Sequence, residues 1–277
     1  MSKLVPALAL LAATAVITAA PSARATDMFE IQVYQSEVNK PGQFAVELHT
    51  NQTIRGPKTV EWEGHVPTDR MTRMTLEPAV GITEWLELGL YLQSFHTPGA
   101  GANFGGFKVR AKMVVPQRIS RNYMLGMNVE VGRVPRAIEI DGWANELRPI
   151  IGYKDGWVLA SFNPIIGYAI TGPERFRMHF EPGAKGWINT QLGFALGVEY
   201  YAGLGLIDKG LAPWRDQEHL ALVAMDFAEK ANSTHHGPDD GHGDDEDEWE
   251  VNVAFGRGFG PAAAHEWLLK TIIGKAF

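Results

Sequence analysis

The residue types best suited to chemistry gather in one short stretch. Asn232 to Glu248 reads NSTHHGPDDGHGDDEDE, setting the imidazoles of His235, His236 and His242 among the carboxylates of Asp239, Asp240, Asp244 and Asp245. Such nitrogen and oxygen donors suit zinc, copper or nickel, so a labile divalent metal is the one cofactor the chain suggests. A calcium loop is not indicated, because no acidic residues stand first, third and fifth before Gly241 or Gly243. The competing reading is a solvated, acidic low-complexity segment.

A second set of charges is spaced by two. Lys108, Arg110 and Lys112 alternate with apolar residues, and Glu87, Glu130, Arg148, Arg177, Glu181, Lys185 and Arg257 are read in the same way. Three cations in a row on one wall of a pore would favour anions, unless Glu87 and Glu130 on flanking strands neutralise them. No G-x-S-x-G, H-E-x-x-H or phosphate-binding loop is present. Ser94, His96 and Ser161 have no third group with a claim to orient them. No catalytic residue is predicted, and the chain reads as a non-enzyme.

These charges need a scaffold, and the hydropathy supplies one. Met1, Lys3, an apolar run from Leu4 to Ala20 and the site Ala23-Arg24-Ala25 predict a secretory signal over 1–25. An extended lead-in, periplasmic or plug-like, is expected over 26–41, and a barrel over 42–277. The clearest dyad sets Leu86, Leu88, Leu90 and Leu92 against Glu87, Gly89, Tyr91 and Gln93. A period of two means a strand. Similar dyads recur down to Trp267, Leu269, Thr271 and Ile273, with Asn163-Pro164 suggesting a bulge. The count is twelve, and an even count puts both termini on the periplasmic side. The fold class is therefore all-β, a transmembrane antiparallel up-and-down β-barrel of about twelve strands.

The tryptophans are predicted to form two girdles, with Trp85, Trp157, Trp187 and Trp249 at one rim and Trp62, Trp143, Trp214 and Trp267 at the other. By the same parity the loop 232–248 is periplasmic. Cysteine is absent, so no disulfide staples an exported chain. Removing the signal takes the net charge from −7 to −9, with seven of those charges between Asp239 and Glu248, and no basic stripe points to nucleic acid.

The chain also resembles a known group. Glu30-Ile31-Gln32-Val33-Tyr34, Pro41-Gly42-Gln43-Phe44, Glu47-Leu48-His49, Glu77-Pro78 and Gly81-Ile82-Thr83-Glu84-Trp85 are similar to the outer-membrane "MetA-pathway of phenol degradation" transporter-like family. So are Trp249-Glu250-Val251-Asn252-Val253, Gly256-Arg257-Gly258 and Leu268-Leu269-Lys270-Thr271-Ile272-Ile273-Gly274. The resemblance implies a twelve-stranded outer-membrane barrel that moves small, in part aromatic, molecules, and it supplies no functional residues. The terminal Phe277 resembles the ending that the barrel assembly machinery reads in bacterial outer-membrane proteins.

The expected function is passive permeation of small solutes through a charged lumen, with outer-membrane lipid, the assembly machinery and the solute as partners. Two alternatives stand beside it. One is an outer-membrane metal-handling protein using the His/Asp loop, and the other a structural barrel with a plugged lumen.

Overall fold

The computed structural model describes residues 27, 29–190, 192–228 and 249–277. The expected signal over 1–25 and the expected metal ligands His235, His236, His242, Asp239, Asp240, Asp244 and Asp245 lie outside them. Alternating sequence becomes strand throughout: β1 Phe44–Arg55, β2 Thr72–Thr83, β3 Leu86–Thr97, β4 Gly101–Val114, β5 Tyr123–Arg133, β6 Trp143–Lys154 and β7 Val158–Asn163. After these come β8 Ile166–Ala169, β9 Met178–Phe180, β10 Gly183–Asn189, β11 Ala195–Gly203, β12 Glu218–Ala228, β13 Trp249–Phe259 and β14 Trp267–Ala276.

Successive strands pair antiparallel, and β14 pairs back onto β1 from Ala45↔Ala276 to Arg55↔Trp267, which closes the ring. The segments β7 and β8 make one crossing, as do β9 and β10, so fourteen strands give a closed twelve-crossing barrel. The bulge expected at Asn163-Pro164 is not there. Ile151↔Phe162 and Leu147↔Ile166 keep one register across the gap, as do Gly183↔Asn163 and Ile166↔Phe180. Pro149, Pro164 and Pro182 therefore stand level on three adjacent crossings, and prolines without N–H groups interrupt the ladder without shifting it.

The two faces of the wall invert the pattern of a soluble protein. Leu48, Leu76, Leu88, Val109, Leu125, Ile151, Val198, Val223, Phe255 and Ile273 lie exposed around the ring, while Glu77, Glu87, Arg110, Glu130, Arg148 and Lys270 are buried within it. Such an apolar belt demands an apolar medium. Among the described residues no helix is long and apolar enough to cross a membrane; in this fold the strands do so. Trp85, Trp157 and Trp249 are exposed at the end that carries the barrel's two termini, and Trp143, Trp214 and Trp267 at the other. Trp187 departs from the expected girdle. It is buried on the inner face of β10, where Gly197 across the ladder leaves room for its ring.

What Trp187 meets inside is the lead-in, which runs through the lumen as an extended strap. Ile31 and Val33 join Trp187, Tyr201, Leu220, Leu222, Ala254 and Leu268 in one apolar cluster. Farther up, Phe29 packs with Met71, Phe95, Val134 and Ile138 at the mouth remote from the termini. The wall has glycines where the strap comes closest. A Cβ on Gly105 would lie 2.6 Å from the Phe29 ring, and one on Gly81 would lie 2.2 Å from the carbonyl oxygens of Asn39 and Lys40. Backbone cannot yield as a side-chain tip can, so Gly81 is the stricter of the two.

The chain contains no cysteine, so a single introduced thiol reports on the strap. Ser36 is buried, and Ser36→Cys is expected to resist maleimide in the folded barrel. Adding Gly81→Val should raise its labelling rate at least tenfold; unchanged protection would show that the strap does not depend on this contact.

Candidate functional site

Strand geometry explains how long charged side chains fit inside a narrow ring. Arg110 on β4 faces Gly89 on β3, and a Cβ there would come within 2.8 Å of its Nε. Across this gap the guanidinium reaches Glu77 at 2.5 Å and Glu87 at 2.7 Å. Lys108 faces Gly132 in the same way. Its ammonium bonds Glu130 at 3.2 Å and also the strap's Asp27. Arg148 Nε donates to Glu146 at 2.7 Å, and Lys270 Nζ donates to Glu199 at 2.6 Å. Each buried charge here meets an opposite one, as desolvated ions require.

The cationic row is thus largely neutralised by its own wall. Of Lys108, Arg110 and Lys112, only Lys112 lacks a carboxylate at ion-pair distance among the described residues, although it is buried. Lys185 also faces inward on β10, with its ammonium 5.3 Å from the Trp187 ring centroid. Glu181, between β9 and β10, lines a small cavity with Asp27, Lys108, Glu130, Glu139, Asn145 and Glu146.

Two of the predicted lining residues are placed elsewhere. Arg177 precedes β9 in the loop at the remote mouth and pairs with Asp208 at 3.4 Å. Arg257 shares its parity with Val253 and Phe255, so it points outward, its guanidinium 5.3 Å from the Trp267 ring centroid. A cation on the outer face close to a strand end keeps its charge at the polar boundary of the apolar belt.

The strap supplies the groups that the wall pattern alone did not reveal. Tyr34 sits among three wall cations, with its ring centroid 4.5 Å from the Arg148 guanidinium, 5.1 Å from Lys112 and 5.8 Å from Arg110. Its hydroxyl bonds both Glu30 and the hydroxyl of Tyr91. Its backbone is held as well: its N–H donates to Asn163 Oδ1 at 2.6 Å, and its carbonyl accepts from Ser161 Oγ at 2.6 Å. Lower down, Asn39 donates to Glu87 through its backbone N–H and its side-chain amide, each at 2.7 Å. Near the same end Lys154 pairs with Glu37. Alternating Glu30 and Gln32 with Ile31 and Val33 was the available signal, but nothing local to these residues said which barrel they would enter.

Two groups of donors among the described residues converge closely enough for a metal: Glu47 with His49 and Glu77, and Asp27 with Glu130 and Glu146. In the first, His49 Nε2 already bridges the two carboxylates at 3.1 Å from each. In the second, Lys108 already bonds Asp27 and Glu130. Side chains of this protein occupy both positions.

A closed ring with an apolar exterior, aromatic rims and a paired, charged interior defines a transmembrane-type β-barrel. No protein-family model matches the chain, and no curated protein matches it. Among solved structures, it is similar to an outer membrane channel from Pseudomonas putida F1, with a TM-score of 0.52 and 11% identity over 90% of this chain and 100% of that one. It is similar also to the KdgM porin in complex with disordered oligogalacturonate, with a TM-score of 0.48 and 8% identity over 84% and 98% of the two chains. The CymD monoaromatic hydrocarbon channel gives 0.41 and 10% identity over 86% and 88%. At such identities the likeness to the Pseudomonas channel is one of fold.

The Arg110 network gives a stability test. Arg110→Met takes the guanidinium from two buried carboxylates and leaves Glu77 to His49 and Glu87 to Asn39, a loss of about 3–5 kcal/mol. The unfolding midpoint in urea, followed by tryptophan fluorescence in lipid vesicles, should fall accordingly. Adding Glu77→Gln and Glu87→Gln should recover most of the loss.

Proposed function

We propose that the protein is an outer-membrane channel for small solutes, aromatic compounds among them, whose passage is the strap-lined, charged interior. The observation that carries this reading is the inverted wall, apolar outside and charged inside, closed by the β1–β14 ladder. The signal pattern over 1–25 supports export, and the exposed Phe277 beside Phe44 (ring centroids 6.3 Å apart) supports recognition of β14 by the assembly machinery. Movement through it is passive, down the solute's own gradient. The strap must shift for a solute to cross, because it fills the middle of the lumen.

That same filling favours a second reading, a structural barrel that stays plugged. A metal-handling role rests on the loop 232–248, whose flanking strand ends Ala228 and Trp249 lie at the end that carries the barrel's termini. Deleting 233–247 separates it from solute passage, since loss of metal tolerance with unchanged permeation marks the metal role.

Single-channel recording in a planar bilayer decides between channel and plug. The native protein is expected to give infrequent, small steps, and a variant lacking 29–37 steps at least tenfold larger. Changing Lys108, Arg110 and Lys112 to glutamine in that variant should shift its selectivity toward cations. Silence from both the native and the shortened barrel, each shown to be inserted, would establish the plugged reading.

A further inference from the structure

The strap's Tyr34 occupies a setting whose parts do not all belong to it. The wall contributes Arg148, Lys112 and Arg110 around the ring, and the Tyr91 hydroxyl at its edge. Arg148 and Arg110 each hold a wall carboxylate at 2.7 Å or less. Lys112 does not. It is buried and projects from the same face of β4 as Arg110; Glu87, Glu37 and Glu47 act on it only from beyond ion-pair distance, and its ammonium lies 5.1 Å from the Tyr34 ring centroid. A desolvated ammonium that faces an aromatic ring, with carboxylates only at longer range, is stabilised less than one in direct contact with a carboxylate.

The strap's acidic groups make their direct contacts elsewhere. Asp27 pairs with Lys108, Glu37 with Lys154, and Glu30 accepts from Tyr34 and Tyr91. The wall therefore offers a ring-sized space between cations and one ammonium with no carboxylate in direct contact. The strap fills the space and leaves that ammonium without a direct anionic partner.

We propose that this cradle of Tyr91, Arg110, Lys112 and Arg148 is a solute-binding site for a small aromatic carboxylate, with Tyr34 as its tethered occupant. The solute's ring takes the place of the tyrosine ring, and its carboxylate pairs with Lys112. Displacing Tyr34 frees the middle of the strap, so binding and opening are the same event. The proposal rests on the channel reading and names the class of solute it would carry.

The test is calorimetric titration of benzoate into the refolded full-length protein in detergent. Tyr34→Ala is expected to bind benzoate at least tenfold more tightly than the native chain, and Lys112→Gln in that background should remove the gain. Cyclohexanecarboxylate, with the same charge but no π face, should bind at least fivefold more weakly than benzoate. Tyr34→Leu, which preserves more of the packing, serves as the second variant and should show the same order of affinities. Native-like affinity in both Tyr34 variants, or a gain that survives Lys112→Gln, overturns the cradle. Bilayer recordings keep the two readings apart. A conducting Tyr34→Ala barrel that benzoate does not block leaves the channel standing without this site, whereas tight benzoate binding to an electrically silent barrel leaves the site without the channel.

Discussion

Hydrocarbon offers no hydrogen-bond partner, so a sheet that crosses it can have no free edge. The pairing of β1 with β14 meets that requirement, and most of the architecture follows from it. Closure fixes an inside and an outside for each strand, so the period of two in the sequence becomes an apolar belt and a polar lining. It also brings the first and last strands together, which leaves the barrel's two termini at one end. Even the level row of Pro149, Pro164 and Pro182 is tolerated within this frame, because the register on both sides of it stays the same.

A ring of twelve crossings has too little room for a conventional apolar core and too much to be filled by its own side chains alone. Here the interior is completed by two devices. Long cations lie along the inner wall over glycines on the adjacent strand, Arg110 over Gly89 and Lys108 over Gly132, and end on carboxylates of nearby strands. The strap then fills what remains, with apolar residues against Trp187 and Tyr201 and polar ones on the charged wall. Because each device depends on the other for desolvation, the charge network and the strap hold one arrangement jointly.

Period and parity made the barrel legible from the sequence, including the strand count and the sharing of one end by both termini. The departures from the sequence pattern have local causes. Nearness to a strand end places Trp187 at a rim, but on the inner face of β10 it has a glycine opposite it and a strap to pack against. Arg257 is an odd-numbered residue on a strand whose odd positions face out, so a strict count would have placed it correctly. Arg177 lies one residue before β9 begins, at the least certain part of any strand, its boundary. Asn163-Pro164 signalled an irregularity, but a missing donor and an inserted residue leave the same trace in sequence. The cradle around Tyr34 was not legible at all, since it joins a residue of the lead-in to wall positions far along the chain that only the closed ring brings together.

The course of the strap bears on how such a chain is assembled. From Phe44 at the terminal end it runs back up the axis, so that Phe29 rests at the remote mouth. A ring that closes through its own first and last strands encircles whatever lies on its axis at that moment. Either the strap is laid down inside the curling sheet before β14 reaches β1, or it must thread a finished cylinder against ion pairs formed in its absence. The first order of events lets the strap act as the mandrel on which the sheet is wound, with Gly81 and Gly105 marking where the wall was shaped to it.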